Sequence, residues 1–179
     1  MPGLRRAAEA RTPSRSAFAS ALRRLARRDH SEHELRSALA DEGHSEEDIA
    51  AALERVKASR YLDDKTYAER YIRSRLAGRG HGRALIRHGL RVRGVKGEVV
   101  DRALKQAATD GTEKEALDAV ARKYWKLHAK VEPETRMKRL WAFLMRRGFP
   151  AALVHDRLQS LWPKQGAILE GLEAVQDDD

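Results

Sequence analysis

ELRSALADEGHSEEDIAAALERV, residues 34–56, sets a pattern that the chain repeats as LIRHGLRVRGVKGEVVDRALKQA at 85–107 and RLWAFLMRRGFPAALVHDRLQSL at 139–161. The three stretches align on Gly43, Gly94 and Gly148, spaced 51 and 54 residues apart. Eight residues before each glycine stands Leu35, Ile86 or Leu140, and four before it Leu39, Leu90 or Leu144. Six residues after it stands Ile49, Val100 or Val154, and ten after it Leu53, Leu104 or Leu158. Apolar residues at such intervals make the buried stripe of an amphipathic helix. A glycine just past the stripe takes the left-handed position that ends a helix, where a Cβ would be penalised. His44, Val95 and Phe149 then pack across the corner, and a second helix begins at Ser45, Lys96 or Pro150. Its stripe closes with Val56, Ala107 and Leu161.

Each helix pair is preceded by room for one more helix, near Ser16–Arg28, Asp64–Leu76 and Glu113–Trp125. A period of this length marks stacked supersecondary units. The expected fold is therefore all-α, a tandem array of three three-helix repeats with nine main helices, elongated and curved. Ser31-x-x-Glu34 reads as a capping box, as do Ser45-x-x-Asp48 and Thr112-x-x-Glu115. Strand signals are almost absent: there is no sustained alternation of β-branched and polar residues and no Asn-Gly turn. The organisation read from the sequence is a basic, disordered arm at 1–15, repeats at 16–60, 61–110 and 111–163, and an acidic tail at 164–179.

The chain has 36 Lys and Arg against 27 Asp and Glu, a net charge of +9. The surplus is local: repeat two carries +6 and repeat three +5, while the tail carries −4. Such a balance points to anionic partners rather than to a fold. There are no cysteines, which excludes disulfides, thiolate metal sites and cysteine nucleophiles. No apolar run approaches the roughly 20 residues that span a bilayer. The N-terminal MPGLRRAAEARTPSRS lacks the apolar core of a secretory signal; an Arg-rich transit peptide is its rival reading. A cytoplasmic, monomeric protein without cofactor or metal is expected.

Chemistry-bearing motifs are few. Gly78-Arg79-Gly80-His81-Gly82 is neither a P-loop nor a dinucleotide fingerprint, and reads as a flexible joint. His30 and His33 lack a third ligand, and Asp63-Asp64 reads as a helix cap. No nucleophile elbow, kinase set or zinc-protease motif occurs, so no catalytic residue is expected. Arg83, Arg87 and Arg91 recur at i, i+4 and i+8 beside the Ile86–Leu90 stripe, with Arg79 before them and Arg93 after. They read either as a solvated helix face or as a ridge that tracks phosphates or carboxylates. Trp141 lies in the column that holds Arg36 and Arg87 in the other repeats, and reads as core or as an interface anchor.

Two blocks of residues carry a family resemblance. Tyr61-Leu62-Asp63-Asp64, Tyr67-Ala68, Tyr71-Ile72, Arg75, Gly80, Arg83 and Arg93-Gly94-Val95 form one, and Ala21-Leu22 through Leu25-Ala26-Arg27-Arg28-Asp29-His30-Ser31 to Glu34-Leu35 the other. Together they resemble the signatures of the RecX regulatory proteins, over roughly residues 17–162. That resemblance implies tandem three-helix repeats. It also implies a bacterial cytoplasmic protein that binds RecA recombinase filaments on DNA. Such a protein limits their growth, ATPase, strand exchange and co-protease activity, and so modulates recombination and the SOS response. Weak, non-specific contact with single- and double-stranded DNA goes with it. A stand-alone DNA-binding protein built of helix-turn-helix-like units is the alternative. Arg79, Arg83, Arg87, Arg91, Arg93 and Trp141 are the candidate contact residues.

Overall fold

The structure is a computed structural model that describes residues 16–165. The N-terminal arm and the tail beyond Gln165 lie outside the described residues. Nine α-helices follow one another: α1 Ala17–Arg27, α2 Glu32–Asp41, α3 Glu46–Ala58, α4 Asp64–Arg79, α5 Arg83–Val92, α6 Gly97–Thr109, α7 Thr112–Leu127, α8 Pro133–Arg146 and α9 Ala151–Leu161. A 3₁₀ turn, Pro163–Gln165, follows, and there is no strand among the described residues.

The caps explain most boundaries. Ser31 and Glu34 close a reciprocal capping box at the start of α2. Ser45 accepts from the Asp48 N–H at the start of α3. Gly43, Gly94 and Gly148 all have positive φ, at 86°, 70° and 81°. At two of these corners the Schellman pair of bonds is present. Gly43 N–H donates to the Ala40 carbonyl and His44 N–H to that of Leu39; Gly148 and Phe149 repeat this on Met145 and Leu144. The expected box at Thr112 does not form. Gly111, at φ 75°, takes the N-cap position without a side-chain bond, and Thr112 is already helical.

The stripes are buried as spaced. The first repeat gathers Leu35, Leu39, Ile49, Leu53 and Val56 into one cluster with Ala21 and Leu62. The third gathers Leu140, Leu144, Val154 and Leu158 with Leu117 and Phe149. In the second, Ile86, Leu90, Val100 and Leu104 are buried. The closing column is uneven: Val56 is buried, whereas Ala107 and Leu161 are half-buried.

The described chain divides into two compact units. The first runs to Tyr67 and takes in Arg93–Val95; the second holds Ala68–Val92 and everything from Lys96 onward. Each unit contains one joint between successive repeats, and the two joints use the same chemistry. In the first unit Ser31 Oγ donates to the Arg93 carbonyl at 2.5 Å, and the Glu32 N–H donates to the Asp64 carboxylate at 2.8 Å. In the second unit the Gly82 N–H donates to the Arg147 carbonyl at 2.8 Å, and the Arg83 N–H to the Glu113 carboxylate at 3.1 Å. Ser31 and Gly82 stand in one column of the repeat, as do Glu32 and Arg83, and Arg93 and Arg147. In both joints the first N–H of a repeat's second helix is satisfied by a carboxylate at the start of the next repeat's first helix, while the residue before it donates to the carbonyl at the next repeat's glycine corner, through the hydroxyl of Ser31 and the backbone N–H of Gly82.

This corrects the reading of the glycine cluster as a flexible joint. Helix α4 continues through Gly78 to Arg79. A Cβ at Gly82 would stand 2.3 Å from the Gly148 carbonyl carbon, so the backbones touch there. Gly80, at φ 57°, lies against Val120, whose Cγ2 a Cβ would meet at 2.2 Å. Glycine serves here for close approach and for a left-handed turn.

Candidate cationic surface of the second unit

The arginines of α5, read from the sequence either as a solvated helix face or as an anion-tracking ridge, stand in three different settings. Arg83 closes its guanidinium on Glu113, with Nε at 2.9 Å and Nη2 at 2.5 Å from Oε2. The Glu113 side chain is only 5% exposed. Arg87 places Nε and Nη2 at 3.1 and 2.8 Å from Asp101 Oδ1. Arg91 is exposed, with no ion pair among the described residues. Arg36, the counterpart of Arg87 in the first repeat, is likewise bonded to Glu46. The i, i+4 spacing identifies the helix flank but not the acids that reach it from 14 and 30 residues away.

Trp141 is buried at 4% in the third-repeat cluster, edge-on to His155. The core reading therefore holds for it, and it offers no exposed anchor. Arg93 belongs to the joint of the first unit: its carbonyl accepts from Ser31 and its Nε lies 3.7 Å from Glu34 Oε1. Burial works to raise the Glu34 pKa, but the Ser31 N–H, Arg28 and the Tyr67 hydroxyl outweigh it and hold the carboxyl below its ordinary range. Burial and the neighbouring Glu34 push the Tyr67 hydroxyl up to about 12. His33 also belongs to this joint, covering Gly94 so closely that a Cβ there would meet its ring at 2.3 Å. His30 bonds the Arg28 carbonyl, and among the described residues no group of three His, Asp or Glu could hold a metal.

Arg79 occupies a different setting, which sequence reasoning missed. It lines a cleft of about 820 Å³ formed by the end of α4, the outer face of α7 and α8. Its cationic and titratable lining is Arg79, His81, Lys123, His128 and Arg147; no Asp or Glu lines it. Its apolar lining includes Val120, Leu127 and Phe143, and Leu127 is 71% exposed. Arg147 donates to the carbonyls of Arg79 and Gly80 and lies 4.7 Å over the Phe143 ring. Tyr124 stacks on His128 at 4.0 Å and meets Phe143 at 4.9 Å. Burial, helped by Arg147, Arg75 and Arg79, lowers the pKa of His81. The lysine and arginine charges of the cleft are Arg79, Lys123 and Arg147. The positive field of such a lining is complementary to carboxylates and phosphates.

No helix among the described residues is long and apolar enough to cross a membrane. The chain matches the models of the first, second and third three-helix domains of RecX, at residues 17–55, 63–104 and 112–156 respectively. It is 39% identical over 142 residues to the regulatory protein RecX of Chromohalobacter salexigens, covering 79% of this chain and 90% of that one. It is 33% identical over 134 residues to that of Mannheimia succiniciproducens, covering 74% and 86%. The crystal structure of RecX from Lactobacillus salivarius superposes with a TM-score of 0.73 at 21% identity, over 81% of this chain and 94% of that one.

Proposed function

Because the chain belongs to the RecX family of regulatory proteins, we propose that it binds filaments of the RecA recombinase on DNA and limits their growth and activities. The observation that carries this reading is the match of all three repeats, in order, to the three RecX domains. The protein is read as a binding regulator rather than an enzyme, acting in the cytoplasm.

A regulator without chemistry of its own acts by differential affinity. It changes filament growth, loss or ATP turnover only by binding one state of the filament more tightly than another. Repeats bound across neighbouring RecA subunits would do so, since each such contact depends on the spacing of those subunits. The surplus of cations in the second and third repeats supports contact with acidic protein surface and with DNA phosphate. Arg79 and Arg91, exposed in this structure, are the predicted arginines best placed for it. Contact with DNA is read as non-specific, because phosphate contacts carry no sequence information.

The test is filament length. RecA assembled on single-stranded DNA with ATP is imaged with increasing amounts of this protein. Filaments shorten as the protein is added; an unchanged length distribution at saturation overturns the reading.

A further inference from the structure

We propose that the acidic segment after Gln165 of this same chain occupies the cationic cleft. Its carboxylates lie on Arg79, Lys123 and Arg147, and its aliphatic side chains on Val120, Leu127 and Phe143. Four observations converge on this occupant. The cleft has three fixed positive charges and no acidic lining residue. Residues 166–179, GAILEGLEAVQDDD, carry five carboxylates, at Glu170, Glu173, Asp177, Asp178 and Asp179, and no Lys or Arg. The same segment carries Ile168, Leu169, Leu172 and Val175, which suit the apolar lining and the 71% exposed Leu127.

The fourth observation is where the segment departs. Trp162 packs on Trp125 of α7 with ring centroids 4.5 Å apart, three residues before the segment begins to leave Gln165. The same helix supplies Lys123, Tyr124 and Leu127 to the cleft; Trp125 and Lys123 stand about 200° apart around it, so the segment has to pass round the helix to reach the cleft. Fourteen residues reach at most about 46–50 Å when extended, enough to pass round a helix about 10–12 Å across. A tether of this kind gives an effective concentration on the order of millimolar, so a weak contact is enough to fill the site.

The rings of the cleft favour a peptide over stacked bases. Tyr124 has His128 against one side and Phe143 against another, and Phe143 carries the Arg147 guanidinium. Base stacking needs an open aromatic face, and these faces are already engaged. The consequence is a surface whose cations are covered by the chain's own acids until a stronger anionic partner displaces them.

Zero-length carbodiimide coupling of the full-length protein tests this directly, because it joins a lysine amine only to a carboxylate in contact with it. Peptide mapping is done on an equal mixture of isotopically light and heavy chains. The expected product is a within-chain amide between Lys123 and a carboxylate of 166–179, at least about fivefold more abundant than the same coupling at Lys126 or Lys130. It falls about tenfold in 1 M salt, where charges are screened beyond about 3 Å. Coupling spread evenly over the lysines, coupling only between light and heavy chains, or none at Lys123 each overturns the proposal. The filament reading above is untouched by any of these outcomes.

Discussion

Glu113, buried at the start of α7, receives both the backbone N–H and the guanidinium of Arg83, thirty residues earlier in the chain. One carboxylate thereby completes the opening of α5 and fixes the second repeat to the third. Asp64 does the corresponding work for the first and second repeats by accepting the Glu32 N–H. The pairing turns an apparent member of a binding ridge into part of the joint.

Arg83→Ala is expected to cost about 2–4 kcal/mol in urea unfolding, because it leaves Glu113 buried without its counter-charge. The figure stays below that of a fully buried pair because the Arg83 side chain keeps 40% exposure. Arg87→Ala, whose partner Asp101 is exposed, should shift stability by no more than about 0.5 kcal/mol. Equal costs at the two positions would contradict the distinction.

Gly82→Ala and Gly97→Ala differ in what a methyl group meets. At Gly82 it meets the Gly148–Phe149 backbone at 2.3 Å, which cannot rotate away, and the loss should be about 1–3 kcal/mol. At Gly97, the first residue of α6, nothing lies within 4 Å, and alanine should be neutral or stabilising by up to about 1 kcal/mol. Thermal unfolding of the two variants checks the contrast.

Tyr67 provides an alkaline marker of the first joint. Its hydroxyl donates to Glu34 at 3.1 Å, and burial together with that carboxylate pushes its pKa up to about 12 from an ordinary 10.0. Ultraviolet titration should show a late-ionising step that belongs to Tyr67. The sign follows from the raised value: the neutral form is favoured in the fold, so this contribution is complete below pH 10 and is lost as pH rises from about 10 to 12. Tyr67→Phe should remove the late step, and a late step that survives in Tyr67→Phe would contradict the assignment.

Single-stranded DNA of random sequence should bind with strong salt dependence, each phosphate contact adding about 0.7 to the slope of log affinity against log salt. Arg79→Glu and Arg91→Glu together should flatten that slope by about 1.4, with thermal stability unchanged. A slope equal to that of the parent would place the phosphate contacts elsewhere.

Much of this fold was legible because it is periodic. The glycine column marked the end of each repeat's second helix, and the apolar columns other than the closing one identified buried stripes, as at Leu90, 0% exposed, where truncation to alanine should cost about 2–5 kcal/mol. The site was far less legible. Helical spacing places Arg83 and Arg87 on a flank, but Glu113 and Asp101 reach them through tertiary contacts that spacing does not encode. Trp141 shares a column with the half-buried, ion-paired Arg36 and Arg87 yet is core, because the third repeat fills that flank with apolar neighbours. The cleft draws its lining from α4, α7 and α8, residues 77 to 147, and no contiguous motif announces it. Gly82 carried a visible signal, a glycine cluster between helices, whose meaning was close approach rather than looseness.

ATP turnover by RecA on single-stranded DNA, followed while this protein is titrated in, bears most directly on its regulatory role. A filament-limiting protein lowers the steady-state rate progressively with concentration, and restores it when the protein is competed away by salt. A rate that stays constant at saturating protein, with binding to the RecA–DNA complex verified in the same sample, would contradict that role.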